Sequence, residues 1–297
     1  LTNALVSVSP REPITASWVF YNDTDSSYIS LKPLMDALYP ERTEPVTFYI
    51  DRMDEICKES IGPHIEKTCR LLAKQTNAFE SKFEFKREIL SDVGIWTVKK
   101  RYALNVWDKE GIRYKEAEIK VVGLETKRSS TPEVVRNKLE EALKICLTGT
   151  EEQLQKFVED FQKEFKKLPP EAVAFPRGVN GLKKYSDPTT IYGKGCPMHV
   201  RAALLYNHWI QAKNLMGQYE KIVEGDKIKF LYLQEPNPIG ENGIGFVVKM
   251  PKELDLHRFV DYNTQFEKSF LEPLNAIVEG FEWHTEHVPT LFGLFED

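Results

Sequence analysis

The sequence predicts an α+β fold, in which an antiparallel sheet with helical cover is followed by a largely helical region. Three observations predict it: β-branched and aromatic runs within the first ~120 residues, apolar positions at helical spacing between residues 48 and 72, and two amphipathic helices after Gly123. A chain of 297 residues with 41% hydrophobic content is long enough to bury substantial cores. We therefore expect two domains, residues 1–123 and residues 124–297.

A β-hairpin is predicted near the start of the chain. Residues 14–20 and 27–31 are rich in β-branched and aromatic side chains, and Asn-Asp-Thr-Asp between them is typical of a turn. This arrangement places Asp23 and Asp25 at the tip of the hairpin.

Further strands and a helical segment complete the first region. The apolar pattern from Phe48 to Leu72 is interrupted at Gly62-Pro63, which predicts a kinked helix or two abutting helices. Strands are predicted at residues 83–90 and 96–106, and a turn at Glu110-Gly111 leads into a return strand.

The second region opens with a helix. Ser130 or Thr131 is predicted to cap it, and Pro132 suits its first turn. Its apolar stripe consists of Val135, Leu139, Ala142, Leu143 and Cys146.

A second helix follows directly. Thr150 and Gln153 form a predicted capping box, and Pro169-Pro170 stops the helix, whose apolar face carries Leu154, Phe157, Val158, Phe161 and Phe165. A short strand near residues 229–233 and a closing helix near residues 254–277 are also predicted.

Charge, cysteine spacing and hydropathy limit the classes of protein to which the chain can belong. The net charge of −5 gives no overall basic field for nucleic acid, so such binding would rest on local basic patches. The four cysteines show no C-x-x-C pairing, which predicts free thiols in a reducing cytoplasm. No run approaches the ~18 apolar residues of a membrane span. The start lacks a methionine and a signal-peptide pattern, so we expect a trimmed, processed or truncated product.

Two aspartates one residue apart, in YNDTDS (21–26), admit three interpretations. They cap a polar turn, they belong to a calcium loop, or they hold a hard cation such as Mg²⁺ for phosphate chemistry. The calcium loop fails, because Tyr28 stands where an EF-hand requires glycine and Leu34 where it requires glutamate.

Two charged runs favour phosphate chemistry. Phe85-Lys86-Arg87-Glu88 offers another carboxylate beside two cations on a predicted neighbouring strand. Lys99-Lys100-Arg101-Tyr102 puts three cations and an aromatic on a predicted strand, a combination suited to gripping phosphates.

Taken in order, these motifs resemble the C-terminal part of family B DNA polymerases, most closely those of T4-like bacteriophages. YNDTDS is similar to the family's motif C, and KKRYALNVWD (99–108) resembles the segment that closes the palm. VVGLETKRSSTP (121–132) resembles the palm–thumb junction. KGCPMHVRAALLYN (194–207) and FEKSFLEPL (266–274) resemble thumb segments. The resemblance implies a palm over residues 1–123 and a thumb over residues 124–297.

The resemblance also implies a metal site. Asp25 would ligate two catalytic Mg²⁺ ions, Asp23 would support the site, and Glu88 would hold a metal or its water. The implied reaction is template-directed nucleotidyl transfer, in which a primer 3′ hydroxyl attacks a deoxynucleoside triphosphate (dNTP).

Contacts with primer-template DNA are implied at two places. Lys100 and Tyr102 would contact the primer end and template, with Lys99 and Arg101 as neighbours. In the thumb, Lys127 and Arg128 would touch the duplex backbone, and hydroxyl groups of Thr126, Ser129 and Ser130 would add contacts.

The sequence departs from the family pattern in two respects. Asn22 replaces the glycine of motif C; asparagine tolerates a left-handed conformation, so we expect the turn to survive. Motif A (D-x-x-S-L-Y-P-S), motif B (K-x-x-x-N-S-x-Y-G) and the exonuclease carboxylates are not found. Residues 36–40 imitate motif A but have the wrong spacing and lie after motif C. We therefore predict that the isolated chain is inactive. It is expected to be either a subunit that combines with an N-terminal chain carrying exonuclease, motif A and fingers, or a fragment or truncated gene product.

The end of the chain resembles a sliding-clamp-binding peptide, with anchors at Leu291, Phe292, Leu294 and Phe295. Two rival functions stay open. One is a non-catalytic module that binds DNA and recruits the clamp. The other is a glycosyltransferase using Asp23 and Asp25 on Mn²⁺, although it leaves the Lys99–Tyr102 run unexplained. The expected location is the cytoplasm, that of the host cell if a phage encodes the chain.

Overall fold

The computed structural model describes residues 18–124, 126, 128–187 and 190–286. The chain divides into two compact units, Leu1–Lys120 and Val121–Asp297. Both units combine helices with antiparallel strands, so the predicted α+β class is confirmed. The identity of the units as palm and thumb stays a prediction.

Strands of the first unit form a two-stranded hairpin and a three-stranded antiparallel sheet, whose strands lie side by side in chain order. Two predicted strands are wrong in their bounds. The strand expected at residues 83–90 begins only at Ile89, and the strand expected over residues 96–106 is divided by a two-residue turn at Lys99-Lys100. The strands are β1 (Val19–Asp23), β2 (Ser26–Ile29), β3 (Ile89–Val98), β4 (Arg101–Lys109) and β5 (Ile112–Val122).

The helices of the first unit are α1 (Lys32–Leu38), α2 (Val46–Ile56) and α3 (Gly62–Gln75). The predicted interruption at Gly62-Pro63 is confirmed, and its form is a π-helical turn over Cys57–Ile61. Pro63 has no N–H and its ring crowds the preceding turn, so the helix widens: the Gly62 N–H donates to the Cys57 carbonyl, five residues back.

A buried ion-pair network ties helix α2 to the β4–β5 turn. The Asp108 carboxylate, 2% exposed, accepts hydrogen bonds from Arg87 and from the Gly111 N–H at 3.0 Å. Arg87 also lies 2.9 Å from Asp54 of α2, and Arg113 lies within 3.7 Å of both acids. Because each charge has an opposite partner, the group is held as one unit.

The second unit contains a sheet that the sequence did not predict in full. Short strand-like runs such as residues 229–233 were expected there, and the structure has three strands that lie side by side in chain order, in addition to the predicted helices. The strands are β6 (Phe175–Gly178), β7 (Lys227–Tyr232) and β8 (Gly243–Phe246).

The helices of the second unit are α4 (Glu133–Thr148), α5 (Glu151–Phe165), α6 (Pro170–Val173), α7 (Met198–Ala212), α8 (Tyr262–Phe266) and α9 (Glu272–Val278). A π-helical turn, Glu267–Leu271, joins α8 to α9, and single 3₁₀ turns occur at Lys183–Tyr185, Lys252–Leu254, His257–Phe259 and Glu279–Phe281.

Helix boundaries in the second unit follow their caps. The capping box of Thr150 and Gln153 is confirmed, whereas α4 is capped by Pro132 and not by a hydroxyl side chain. The closing helix begins at Tyr262, later than predicted, because the Asp261 side chain accepts from the Thr264 N–H. The core of this unit contains most of the predicted stripes of α4 and α5, together with Phe266, Phe270 and buried residues of α7 and of the sheet.

Asp108→Ala should destabilise the chain by about 3 kcal/mol, because it removes the buried carboxylate that pairs with Arg87 and Arg113 and accepts from the Gly111 N–H, and leaves both guanidinium groups only the acids of α2. Urea unfolding followed by circular dichroism would measure the loss. The matched control is Asp36→Ala in α1, which removes an exposed carboxylate paired with Lys32 and Arg42 and should not shift the midpoint. Equal midpoints for the two variants would contradict a coupled network.

Candidate active site at two hairpin turns

The β1–β2 hairpin carries the two aspartates in different environments. Asp23 ends β1, is half-buried and pairs with Ser26, whereas Asp25 is exposed in the two-residue turn. Thr24 Oγ1 donates to Asp23 Oδ1 at 3.3 Å, which helps orient that carboxylate. Both carboxylates therefore lie at the hairpin tip, as predicted.

The strained position of this turn is not the one that the sequence suggested. Asn22 lies in β1 and pairs with Ser27, so the position needs no left-handed backbone. The positive φ of +49° falls on Thr24, an unusual place for a β-branched residue. Such strain persists only where surrounding contacts enforce it, which is a common property of functional turns.

The second turn, Lys99-Lys100, meets the first. The Lys100 backbone N–H donates to the Tyr21 hydroxyl at 2.9 Å, and Lys100 Nζ lies 3.6 Å from Asp23 Oδ1. Lys100 has a φ of +63°, which turns the chain between β3 and β4. The prediction of three cations along one strand is wrong: Lys99 and Lys100 form the turn, and only Arg101 lies in a strand.

An aromatic cluster holds the two turns together. Trp96 stacks on Tyr102 with ring centroids 5.9 Å apart and lies 4.6 Å from Phe20 and 5.5 Å from Tyr28. Gly94 makes room for this packing, since a Cβ there would lie 2.7 Å from the Trp96 ring. Sequence reasoning did not assign Phe20, Tyr28 and Trp96 to the candidate site. Their alternate spacing in strands was the signal that could have identified them.

A pair of hydroxyl groups lies in this cluster. The Tyr28 hydroxyl donates to the Tyr102 hydroxyl at 2.7 Å, and Tyr102 is 7% exposed. Burial, the bond to Tyr102 and the nearby charges raise the pKa of Tyr28 well above its usual value. The charge of the Glu88 carboxylate makes the smallest contribution to this rise in pKa.

Glu88 is placed by its neighbours on both sides. It is exposed and directly precedes β3, and its carbonyl accepts from the Glu110 N–H at 2.6 Å. The preceding Arg87 is anchored by Asp54 and Asp108. The backbone at Glu88 is therefore fixed while its carboxylate is free to meet solvent or a ligand.

The carboxylates fit a hard cation in type but form only part of a metal site. Mg²⁺ is commonly held by one or two carboxylates, with water and substrate phosphates completing its shell. Among the described residues no group of three or more acidic, histidine or cysteine side chains is placed to hold a metal ion. Asp23 and Asp25 thus provide donors of the right chemistry, with Lys100 already beside Asp23.

Predicted DNA contacts of the second unit lie at the start of α4. Arg128 and Ser129 are exposed, whereas Thr126 is 4% exposed with no hydrogen-bond partner for its hydroxyl among the described residues. The Ser130 carbonyl accepts from Arg177 of β6, a contact that the sequence did not suggest. Lys127 lies outside the described residues.

A cleft of about 500 Å³ opens beside these residues. Ser129 and Thr131 line it together with Arg136 and Lys229, two cations that sequence reasoning missed. Arg136 lies in the first turn of α4, a position that helical spacing alone does not mark as functional. The proposed clamp anchors Leu291, Phe292, Leu294 and Phe295 lie outside the described residues.

In the described parts of the chain, no helix combines the length and the apolar character that crossing a bilayer requires.

Tyr28→Phe should cost about 1 kcal/mol of unfolding free energy at pH 7, because Tyr102 loses its donor. The pKa of Tyr28 is raised in the folded chain, so its contribution to stability is complete below pH ~10 and is lost as pH rises further. Between pH 10 and 11 the wild type should therefore lose more stability than Tyr28→Phe. Urea unfolding at both pH values would test this, and parallel losses would contradict it.

The chain resembles two known proteins over nearly all its length, although no protein-family model matches it. It is 33% identical over 293 residues to the DNA-directed DNA polymerase of Escherichia phage RB69, and 32% identical over 285 residues to that of Enterobacteria phage T4. The matches cover 94% and 92% of this chain but 32% and 31% of the relatives, so the chain spans about a third of their length. The chain therefore matches the C-terminal part of the DNA-directed DNA polymerases of T4-like phages and is related to them in sequence.

Proposed function

We propose that this chain is the C-terminal portion of a DNA-directed DNA polymerase and catalyses template-directed nucleotidyl transfer when combined with a chain that carries motifs A and B. One observation carries the proposal: the two motif-bearing turns lie together, with Lys100 Nζ 3.6 Å from Asp23 and its N–H bonded to Tyr21. The sequence relation to phage polymerases supports it independently.

The proposed roles follow from the local geometry. Asp25 is exposed and forms no salt bridge with any described residue, and we assign it as the direct Mg²⁺ ligand. Asp23, already near Lys100, supports it. Glu88 holds a metal or its water from the adjacent strand end. Two bound Mg²⁺ ions would stabilise the charge that develops on the transferred phosphoryl group. The aromatic cluster keeps both turns in place.

Contacts with primer-template DNA are proposed for the exposed cations. Lys99 and Lys100 project from a turn, and Arg101 follows them, so they can reach phosphates beside the metal ligands. Tyr102 is buried and bonded to Tyr28, so it acts by holding this turn. In the second unit, Lys127, Arg128, Ser129 and Ser130 are proposed to contact the duplex backbone.

Partners are proposed from the length of the relatives. The chain spans about a third of them, so an N-terminal polymerase chain would supply exonuclease, motif A and fingers, and with them the grip on the dNTP. The tail from Leu291 to Phe295 is proposed to bind a sliding clamp. The complex would work in the cytoplasm of the host cell, and the isolated chain would be inactive.

A second candidate is a non-catalytic module that binds DNA and recruits the clamp. Arg136 and Lys229 line a cleft beside Ser129, and DNA binding there would need no metal ion, which favours this candidate. The two candidates differ in one result: only the first requires primer extension by the combined chains.

Asp25→Asn should lower primer extension by at least about 100-fold in a mixture with the upstream polymerase polypeptide of the same source, because one direct metal ligand is lost. Primer extension on a labelled template with Mg²⁺ would measure it. Asp36→Asn, in the sequence that imitates motif A, is the matched control and should retain full activity. Unchanged extension by Asp25→Asn would refute the role of Asp25, and no extension by the wild-type mixture would favour the non-catalytic module.

Lys99→Ala should weaken binding of a short primer-template duplex. It should also reduce the slope of log Kd against log salt concentration by about 1, the contribution of one phosphate contact. Fluorescence anisotropy across a series of salt concentrations would measure both effects. Lys32→Ala, which removes a lysine that pairs with Asp36 elsewhere in the first unit, is the control. An unchanged salt slope for Lys99→Ala would place DNA away from this turn.

A further inference from the structure

Two lysines form the turn between β3 and β4, and they differ in what they contact. Lys100 Nζ lies 3.6 Å from Asp23 Oδ1. Lys99 is exposed and forms no salt bridge with any residue that the structure describes. Two neighbouring side chains therefore carry the same charge, but only one of them is paired with a carboxylate of the candidate metal site.

The backbone of Lys100 is fixed, whereas its ammonium group can move. The Lys100 N–H donates to the Tyr21 hydroxyl at 2.9 Å, and the φ of +63° sets the turn. The Lys100 side chain is nevertheless 63% exposed. A lysine ammonium is a compact charge on a flexible four-carbon stem. Lys100 can therefore change its partner while the turn stays in place.

The Asp23 carboxylate is a partner for which two cations compete. Thr24 Oγ1 and Lys100 Nζ both approach Asp23 Oδ1, and the Asp23 side chain is 29% exposed. In the proposed function, the same carboxylate supports a divalent cation that Asp25 binds directly. Sharing it would hold a charge of +1 and a charge of +2 within a few ångströms of each other, which is unfavourable. Metal binding and the Lys100–Asp23 pair therefore oppose each other.

The phosphates of a nucleic acid offer Lys100 a second partner. An ion pair between exposed side chains contributes little to stability, so Lys100 can leave Asp23 at small cost. A lysine that neutralises a phosphate also releases a condensed counterion, which favours binding. Lys100 lies in the same turn as Lys99, for which a DNA contact is already proposed.

We propose that Lys100 couples metal binding to DNA binding: its ammonium group exchanges Asp23 for a phosphate of the primer-template duplex when a divalent cation binds the two aspartates. By thermodynamic linkage this coupling is reciprocal, so metal and DNA strengthen each other's binding by the same factor. The inference rests on the proposed function, because it takes Asp23 and Asp25 to hold the metal and Lys100 to meet DNA.

Manganese binding to the full chain tests the competition. The probe is Mn²⁺ alone, titrated into the chain and followed by the electron paramagnetic resonance signal of the free ion. Lys100→Gln should bind Mn²⁺ at least about 5-fold more tightly than the wild type, because the competing ammonium group is gone. The matched control Lys99→Gln removes an unpaired charge from the same turn and should stay within about 2-fold of the wild type.

Two further variants identify the cause of the change. Lys100→Arg keeps the positive charge and should bind Mn²⁺ within about 2-fold of the wild type. Asp23→Asn should weaken Mn²⁺ binding at least about 5-fold, since it removes one of the two carboxylates. Thermal unfolding confirms that the variants fold, as substitutions at this exposed turn should allow.

Fluorescence anisotropy with a short primer-template duplex measures the coupling itself. At constant ionic strength, the wild type should have a Kd for the duplex at least about 5-fold lower in Mg²⁺ than in EDTA. For Lys100→Gln this ratio should fall below about 2-fold. Lys99→Gln should bind the duplex more weakly in both conditions and keep the wild-type ratio, because it removes a phosphate contact that metal does not control.

Four results would overturn the proposal. They are equal Mn²⁺ affinities of Lys100→Gln and Lys99→Gln, weaker Mn²⁺ binding by Lys100→Gln than by the wild type, Mn²⁺ binding that is undetectable or that Asp23→Asn leaves unchanged, and the same effect of Mg²⁺ on duplex affinity in the wild type and Lys100→Gln.

Primer extension by the combined chains separates this inference from the proposed function. If Lys100→Gln removes the coupling but the wild-type mixture does not extend a primer, the coupling stands and the polymerase assignment fails. If the wild-type mixture extends primers while Lys100→Gln and Lys99→Gln bind Mn²⁺ equally, the assignment stands and the coupling fails.

Discussion

Packing of the Trp96 indole against the β1–β2 hairpin is the interaction on which the candidate site depends. The ring lies against Phe20 and Tyr28 from one hairpin and Tyr102 from the other, so it fixes the two hairpins to each other. Aromatic pairs at these distances contribute burial together with preferred ring geometry. The hydrogen bond from Tyr28 to Tyr102 adds to this packing, as do the two polar contacts of Lys100 with Tyr21 and Asp23.

Strain at the turns is sustained by that packing. Thr24 and Lys100 both have positive φ angles, which are unfavourable for residues other than glycine, and both lie where the turns meet. A freely relaxing hairpin would avoid a β-branched residue there. The backbone can therefore hold a carboxylate of β1 and a cation of the second turn close together, which is an arrangement that local preferences alone would not produce.

The far end of the same sheet is fixed by charge instead of aromatic packing. Asp108 binds Arg87 and the turn at Gly111, and Arg87 also reaches Asp54 in α2. Glu88 follows Arg87 directly, so the network sets the backbone position of the third candidate carboxylate. The candidate site of the first unit is thus held by packing at one end of the sheet and by charge at the other, while Phe79, Phe83 and Phe85, which precede Glu88, are exposed.

The sequence by itself determined the class of fold, most of the helices and the chemistry of the site. Periodicity marked α4 and α5 with their buried stripes, and the YNDTDS and KKRY motifs identified the residues that carry charge. These properties are local, because helical spacing, capping and residue type act within a few positions along the chain.

Only the tertiary structure decided which of those residues meet. It placed a turn within the predicted strand at Lys99-Lys100, moved the strained backbone from Asn22 to Thr24, and began β3 only at Ile89 despite the strand pattern of residues 83–88. The physical reason is that a strand exists only where another strand accepts its hydrogen bonds, and that a turn of two lysines is stabilised by contacts distant in sequence. The bond from Lys100 to Tyr21 spans 79 positions, and no local pattern contains it.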